Sequence, residues 1–178
     1  MDPPPNGSNR CHLRAYNPPV MPPARIRVRH ARPADRGFVL ETTARLSAFG
    51  PPSWRDPADV VEGEARTLRD FFESPDPSSA LLIAEAAPAG EALGFALLEQ
   101  ARDYFTHDWH GHLGILAVAE AAEGQGAGAA LIRAAERWAK RRGYPALTLN
   151  VFDGNRHARD VYEHFGFQPD TIRYFKKL

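Results

Sequence analysis

A run of glycines, EGQGAG at residues 123–128, stands between an apolar segment and an alanine-rich stretch with helical spacing. A glycine turn at a helix N-terminus leaves backbone N–H groups unpaired and lets an anion approach them closely. The loop therefore predicts phosphate binding. Two nucleotide-binding patterns do not fit it. Gly128 is followed by Ala129 where triphosphatases require Lys, and Leu131 stands where a dinucleotide fingerprint requires its third glycine.

A second motif lies downstream, NVFDGNRHARDVYEHFGF at residues 150–167. The glycine loop resembles the acetyl-CoA pyrophosphate loop of the GCN5-related N-acetyltransferases (GNAT superfamily), Arg/Gln-x-x-Gly-x-Gly/Ala, with Gly126 and Gly128 at its small positions. The downstream motif resembles the family's second signature, Asn-x-x-Ala-x-x-x-Tyr-x-x-x-Gly-Phe, whose places are filled by Asn155, Ala158, Tyr162, Gly166 and Phe167. With the opening IRVRHARPAD, which is similar to the start of many members, the likeness covers residues 25–178.

The resemblance implies acetyl-CoA as co-substrate, no metal, and transfer of the acetyl group to a primary amine of a small molecule or peptide. It also implies that the strand before the glycine loop splays from the next strand and pairs its exposed N–H groups with the pantetheine arm. The expected cofactor-binding residues are Leu116, Ala117, Val118, Glu123, Gly124, Gln125, Gly126, Ala127, Gly128, Asn155, Ala158 and Tyr162.

Acetyl transfer requires a neutral amine, a stabilised oxyanion and a proton for the departing thiolate. A tyrosine, with a pKa of about 10, stays protonated at neutral pH and can donate to a thiolate whose parent thiol has a pKa of about 8.5. Tyr162 is therefore the predicted general acid, and the resemblance implies the N–H of Val118 as oxyanion donor. The spacing of Tyr162 with Ala158, Val161 and Phe165 also fits a buried helix face, and by itself would indicate a core residue.

The general base is not specified by the motifs. Many relatives carry a glutamate about four residues before the last valine of the strand, where this chain has Gly114 and Ile115. Two alternatives stay open. In a regular strand the side chain of His112 would point to the same face as position 114, and its neutral imidazole could accept the proton of the amine. Glu99, on the preceding strand, could act through a water molecule.

Glu123 is a second departure, because it stands where the family pattern has arginine or glutamine. A carboxylate beside a pyrophosphate is unfavourable unless it turns into solvent. The two departures leave open a rival hypothesis, a non-catalytic module of the same fold that binds or senses acyl-CoA. The acceptor is expected between the first two helices, with Phe49 and Trp54 as an apolar wall and Arg55 paired with a substrate carboxylate.

The run RDYFTHDWHGH brings three histidines close to two aspartates. Metal binding is conceivable there, but strand alternation and loop exposure explain the run equally well, and the predicted chemistry needs no metal. The histidines are His107, His110 and His112, and the aspartates are Asp103 and Asp108. We predict no metal site.

Periodicity predicts the elements that must position these residues. The expected order is β-α-α-β-β-β-α-β-α-β, an α/β fold with a mixed, largely antiparallel sheet flanked by helices. The first helix is expected over residues 32–49, and a strand over residues 146–152. The last element, TIRYFKKL, is expected to be a closing strand. Residues 1–24, which hold seven prolines by position 23, are expected to form a proline-rich flexible arm, and residues 25–178 an N-acetyltransferase domain.

The length, composition and charge of the chain argue against several classes of function. The chain has 178 residues, enough for one domain, and is 43% hydrophobic. Lys plus Arg equals Asp plus Glu at 22 each, which argues against nucleic acid or an anionic membrane as partner. The single cysteine, Cys11, excludes an internal disulfide. No segment has the length or apolarity of a membrane span or a signal peptide, so we expect a soluble, cytoplasmic protein. A homodimer is one option for its oligomeric state.

Overall fold

The computed structural model describes residues 25–178, so the predicted proline-rich arm and Cys11 lie outside the described residues. Five strands form one sheet in the order β1-β2-β3-β4-β5. Adjacent strands are antiparallel except for β4 and β5, which are parallel. The strands are β1 (Arg25–His30), β2 (Ala80–Ala87), β3 (Glu91–Arg102), β4 (Trp109–Val118) and β5 (Leu147–Leu149).

Four α-helices flank the sheet: α1 (Arg36–Thr42), α2 (Pro57–Glu73), α3 (Ala127–Arg141) and α4 (Arg156–His164). Short 3-10 turns cover Pro33–Asp35, Thr43–Ser47 and Glu120–Ala122. Asp56 begins α2 by accepting a hydrogen bond from the Ala58 N–H at 2.8 Å, with Pro57 in the first helical position. No helix within residues 25–178 is long and apolar enough to cross a membrane.

The sheet has a hydrophobic core on each face. One core joins it to α3, through Leu131, Ile132, Ala135 and Trp138, and the partly buried residues of α4 pack against the same core. The other core joins the sheet to α1 and α2, through Val39 and Leu68. The predicted mixed, largely antiparallel sheet with flanking helices is confirmed.

A β-bulge in β4 changes which face its side chains point to. Leu97 pairs with Ile115 and the next β3 residue, Leu98, pairs with Leu113, so Gly114 is the extra residue. Leu113 belongs to the core shared with α3, whereas Ile115 belongs to the core shared with α1 and α2. The bulge therefore lies in the part of β4 where the family pattern has its glutamate.

The structure differs from the predicted elements at three places. The single helix expected over residues 32–49 is a short α1 between two 3-10 turns, and the strand expected over residues 146–152 is limited to β5. The closing strand expected over residues 171–178 was wrong, because this segment has no regular secondary structure. Alternation gives a strand only where one face is buried, and Ile172 and Tyr174 are 78% and 89% exposed. Phe175 instead stacks on Trp54, with ring centroids 4.1 Å apart.

Candidate active site

The glycine loop presents free N–H groups at the start of α3. Gly126 has a φ of 89°, a left-handed conformation that glycine adopts without strain, and it turns the chain into the helix. Ala130 donates to the Gly126 carbonyl at 3.0 Å. The N–H groups of Ala127, Gly128 and Ala129 precede that hydrogen bond and have no partner within the helix. The helix N-terminus can therefore receive an anion, as expected from the spacing of the glycines.

The remaining loop side chains have other roles within the protein. The Gln125 amide donates to the Ala121 carbonyl at 2.8 Å, so it stabilises the turn rather than facing the helix N-terminus. Glu123 forms an ion pair with Arg45, which comes from the 3-10 turn after α1. Sequence reasoning identified neither contact, and it missed Arg45 altogether.

An open edge of β4 lies next to this loop. Within residues 25–178, the pairing of β4 with β5 ends at Leu113–Leu149, so the two strands separate before β4 reaches its C-terminal end. Ala119 donates its N–H to Leu93 of β3 at 2.9 Å. Backbone groups alternate between the two sides of a strand. The N–H groups of Leu116 and Val118 therefore face the open side, whereas that of Ala117 faces β3.

The signature residues of the second motif extend from the N-cap of α4 to just beyond its C-terminal end. Asn155 caps this helix, because its Oδ1 accepts a hydrogen bond from the Ala158 N–H at 3.1 Å. Tyr162 packs edge-to-face on Phe167, with ring centroids 5.8 Å apart. Burial raises the pKa of Tyr162 above its usual value, so its hydroxyl stays protonated at neutral pH. Like Leu116 and Val118, Tyr162 packs against the core shared with α3.

The two candidate bases lie together on neighbouring strands. Glu99 of β3 is directly opposite His112 of β4, so their side chains share one face of the sheet. A Cβ atom on Gly114 would lie 2.6 Å from the Glu99 Oε2. The Glu99 carboxylate thus fills the space that a side chain at position 114 would need. It approaches position 114 from the adjacent strand.

His112 is held by polar neighbours on β5 and just after it. Its Nδ1 forms a hydrogen bond of 2.8 Å with the Thr148 hydroxyl, and its Nε2 lies 3.5 Å from the Asn150 amide nitrogen. Burial, with a smaller contribution from His110, lowers the pKa of His112, so the imidazole is neutral at neutral pH.

Glu99 and His112 line a cavity of about 490 Å³ between α2 and the sheet. Burial, then repulsion from Asp76, raises the pKa of Glu99. Burial, then repulsion from Glu99, raises the pKa of Glu64 on α2. Three carboxylates line the cavity, those of Asp70, Asp76 and Glu99, and Asp76 accepts hydrogen bonds from Ser78 that lower its pKa. The other residues that line it are Thr67, Phe71, Ser74, Ser78, Ser79, Leu97, Gln100 and Ala101.

The acceptor wall expected from the sequence is not in this cavity. Trp54 and Arg55 line a separate, smaller depression with Phe175. The guanidinium of Arg55 lies over the Trp54 ring, 4.8 Å from its centroid, and that of Arg45 lies 5.2 Å from the centroid of Phe49. These aromatic rings therefore pack against arginines and the C-terminal segment.

The histidine-rich run forms a turn between β3 and β4. Asp103 accepts hydrogen bonds from the N–H groups of Phe105 and Thr106 at 2.9 and 2.8 Å, and His107 has a positive φ of 62°. Across residues 25–178, no group of three or more His, Cys, Asp or Glu side chains is arranged to hold a metal ion.

Comparison with known proteins identifies the family. The model of the acetyltransferase (GNAT) family matches residues 27–167. The chain belongs to this family. It is 47% identical to an aminoglycoside N(6′)-acetyltransferase type 1 from Klebsiella aerogenes over 142 residues, which are 78% of this chain and 93% of the relative. The GNAT resemblance seen in the two motifs and the prediction of an N-acetyltransferase are both confirmed.

Solved structures support the GNAT fold. A putative acetyl transferase from Pyrococcus furiosus superposes with a TM-score of 0.69 at 21% identity, over 86% of this chain and all of that one. The aminoglycoside N-acetyltransferase AAC(6′)-Iy in complex with CoA superposes with a TM-score of 0.67 at 18% identity, over 89% of this chain and 98% of that one. At these identities the likeness concerns the fold alone.

Proposed function

We propose that this GNAT member transfers an acetyl group from acetyl-CoA to a primary amine of a small cationic molecule. The observation that carries the proposal is the Glu99 carboxylate, which lies over the bulge at Gly114 and inside the cavity beside α2. The Klebsiella aerogenes relative, named for an aminoglycoside, supports a small amine as acceptor. The solved GNAT complex with CoA supports the donor.

The cofactor would lie along the open edge of β4. Its pyrophosphate would accept hydrogen bonds from the N–H groups of Ala127, Gly128 and Ala129, where the positive end of the α3 dipole also favours an anion. Its pantetheine arm would pair with the open N–H groups of Leu116 and Val118. The N–H of Val118, or that of Leu116 on the same edge, would also stabilise the oxyanion that forms on the acetyl carbonyl.

A negative charge introduced at the start of α3 tests the proposed position of the pyrophosphate. In Gly128→Glu, an ordinary contact of 3.7 Å between the new Cβ and Val118 leaves room for the side chain, and a carboxylate in the first turn favours the helix dipole. We expect thermal stability to be kept while calorimetric affinity for acetyl-CoA falls at least about tenfold, with a smaller loss at high salt. Gly128→Ala and the helix-surface variant Gly63→Glu serve as controls. Unchanged affinity in Gly128→Glu would contradict the pyrophosphate site.

The acid and the base would act from opposite faces of the sheet. Tyr162 packs on the α3 side, and Glu99 faces the cavity on the α2 side. The acetyl group at the open edge of β4 would lie between them. Glu99, through a water molecule, would take a proton from the acceptor ammonium so that the neutral amine can attack the acetyl carbonyl, and Tyr162 would give a proton to the departing thiolate. His112, whose neutral imidazole could accept a proton, is the second candidate for the base.

The charges around the cavity suit a cation as acceptor. Burial first, and then repulsion from Asp76 and from Glu99, raises the pKa of Glu99 and of Glu64 respectively. A bound ammonium would relieve this repulsion, and a second positive charge on the same molecule would relieve it further. The geometry thus favours a small acceptor with more than one amino group over a neutral or acidic acceptor.

Matched acceptors test this preference. We expect kcat/KM for acetyl transfer to a short diamine to exceed that for the amino alcohol of equal length by about tenfold at low ionic strength, and the ratio to fall as salt is added. Glu64→Gln removes one carboxylate and should reduce the ratio, whereas Glu62→Gln, which is on the exposed face of α2, should not. Equal rates with both acceptors would contradict a cationic acceptor site.

The rival function is an acyl-CoA-binding module without turnover. Its signature would be tight binding of acetyl-CoA by calorimetry with no release of CoA thiol in the presence of any amine. The presence of Glu99 over Gly114 favours the enzyme, because it supplies a carboxylate where position 114 has none.

A further inference from the structure

The glycine loop lacks a positive charge of its own. Between Ala119 and Ile132 there is no lysine or arginine, and Glu120 and Glu123 are both acidic. Helix N–H groups carry only partial charges, whereas a diphosphate carries full negative charge. A cation from another part of the chain would make this loop more favourable for the ligand.

Arg45 brings such a cation to the loop. Its guanidinium pairs with Glu123 through Nη2 and with Glu120 through Nη1, the latter at 3.6 Å. Glu123 is three residues before Gly126, the N-cap of α3, so the guanidinium lies at the edge of the predicted phosphate site. Arg45 is 78 residues away from Glu123 in sequence, and no motif joins the two residues.

Arg45 is held more firmly than its two partners. Its side chain is 22% exposed, whereas Glu120 and Glu123 are 82% and 52% exposed. The 3-10 turn that carries Arg45 is anchored by the buried Thr43, whose hydroxyl donates to the Val39 carbonyl at 2.8 Å. The glutamates can therefore turn into solvent when an anion arrives, while the arginine stays in place.

One polar atom of Arg45 has no partner. Its Nε is buried and makes no hydrogen bond with residues 25–178, although a buried donor without an acceptor is costly. The guanidinium also lies over the Phe49 ring, 5.2 Å from its centroid, which fixes its plane. A planar guanidinium matches the paired oxygens of a diphosphate, which could replace the two glutamates at its Nη atoms.

We propose that Arg45 binds the diphosphate of the cofactor and so replaces the cation that the loop lacks at position 123. Glu123 and Glu120 hold the guanidinium at the loop in the free protein and give way to the diphosphate when the cofactor binds. This inference rests on the proposed use of acetyl-CoA.

Calorimetry with CoA and with 3′-dephospho-CoA tests the assignment, because both ligands carry the diphosphate and only CoA carries the 3′-phosphate. We expect Arg45→Gln to weaken both by about tenfold or more. Arg69→Gln, which breaks an ion pair with Glu62 on α2, is the matched control and should change neither. Unchanged binding in Arg45→Gln, or a loss confined to CoA, would overturn the proposal.

Glu123→Gln separates ligand binding from a purely structural ion pair. It breaks the same ion pair but keeps Arg45, so we expect CoA affinity equal to or higher than that of the wild type, with any gain shrinking as salt is added. Weakening equal to that of Arg45→Gln would mean that the ion pair, and not the arginine, supports the site, and would overturn the proposal. A wild type that binds neither ligand would overturn the acetyl-CoA proposal itself, and this one with it.

Discussion

Replacing Glu99 with glutamine should lower kcat by about 10²–10⁴-fold, the usual contribution of a general base. The amide keeps the size of the side chain but cannot take a proton from the acceptor ammonium. The acid limb of the wild-type pH profile should reflect Glu99, because the base works only above its pKa, which burial and Asp76 raise above the usual range. Steady-state kinetics with saturating acetyl-CoA measure both effects.

The same substitution should stabilise the free protein. A carboxyl whose pKa is raised by folding destabilises the native state at neutral pH, and this cost is lost as the pH falls through the folded pKa and the group protonates. Glu99→Gln should therefore raise the melting temperature at pH 7, with a gain that fades towards acid pH. Glu91→Gln, at the exposed start of the same strand, is the matched control.

His112→Gln distinguishes between the two candidate bases. If Glu99 is the base, His112→Gln keeps most of its kcat, and the acid limb of its pH profile is unchanged. A collapse of kcat in His112→Gln with near-normal turnover in Glu99→Gln would reverse the assignment. That result would give the role of general base to the His112 imidazole.

Tyr162→Phe should produce the second large effect, a fall in kcat of about 10²–10⁴-fold with little change in the affinity for acetyl-CoA. The variant loses one hydroxyl and keeps the ring that packs on Phe167, so the fold and the phosphate contacts should persist. Because burial raises the pKa of Tyr162, the wild-type hydroxyl holds its proton across the neutral range and can protonate the thiolate.

Two control measurements test whether the effect of Tyr162→Phe is on catalysis alone. Calorimetry with acetyl-CoA should report an unchanged dissociation constant, and Tyr174→Phe, at a position that is 89% exposed, should keep wild-type kcat. Wild-type turnover in Tyr162→Phe on the best acceptor would remove this residue from the mechanism and leave it as a packing residue of α4.

The sequence allowed prediction of the features that depend on local spacing. The glycines at 124, 126 and 128 between an apolar strand and an amphipathic helix predicted a helix N-terminus with open N–H groups, and α3 begins at Ala127. Continuous apolar runs between turns likewise predicted β2 and β3, which are buried on both faces of the sheet, and helical periodicity predicted α4, which packs on the core shared with α3.

The remaining features depend on contacts between distant segments. The bulge at Gly114 shifts the register of β4 against β3, and only this register places Glu99 over position 114. Arg45 reaches the loop because α1 tightens into a 3-10 turn, which spacing did not indicate. The closing strand was predicted from the alternation of Ile172 and Tyr174, but alternation cannot tell whether a sheet edge is there to bury one face.

The most direct test of acetyl transfer follows an isotopically labelled acetyl group. Acetyl-CoA labelled in this group is incubated with the protein and a small diamine, and mass spectrometry is used to detect the label on the acceptor. We predict that the wild type moves the label to one amino group with equal release of CoA thiol, and that Glu99→Gln and Tyr162→Phe transfer it far more slowly. Binding of acetyl-CoA without transfer of the label to any amine would contradict the enzyme and favour the binding module.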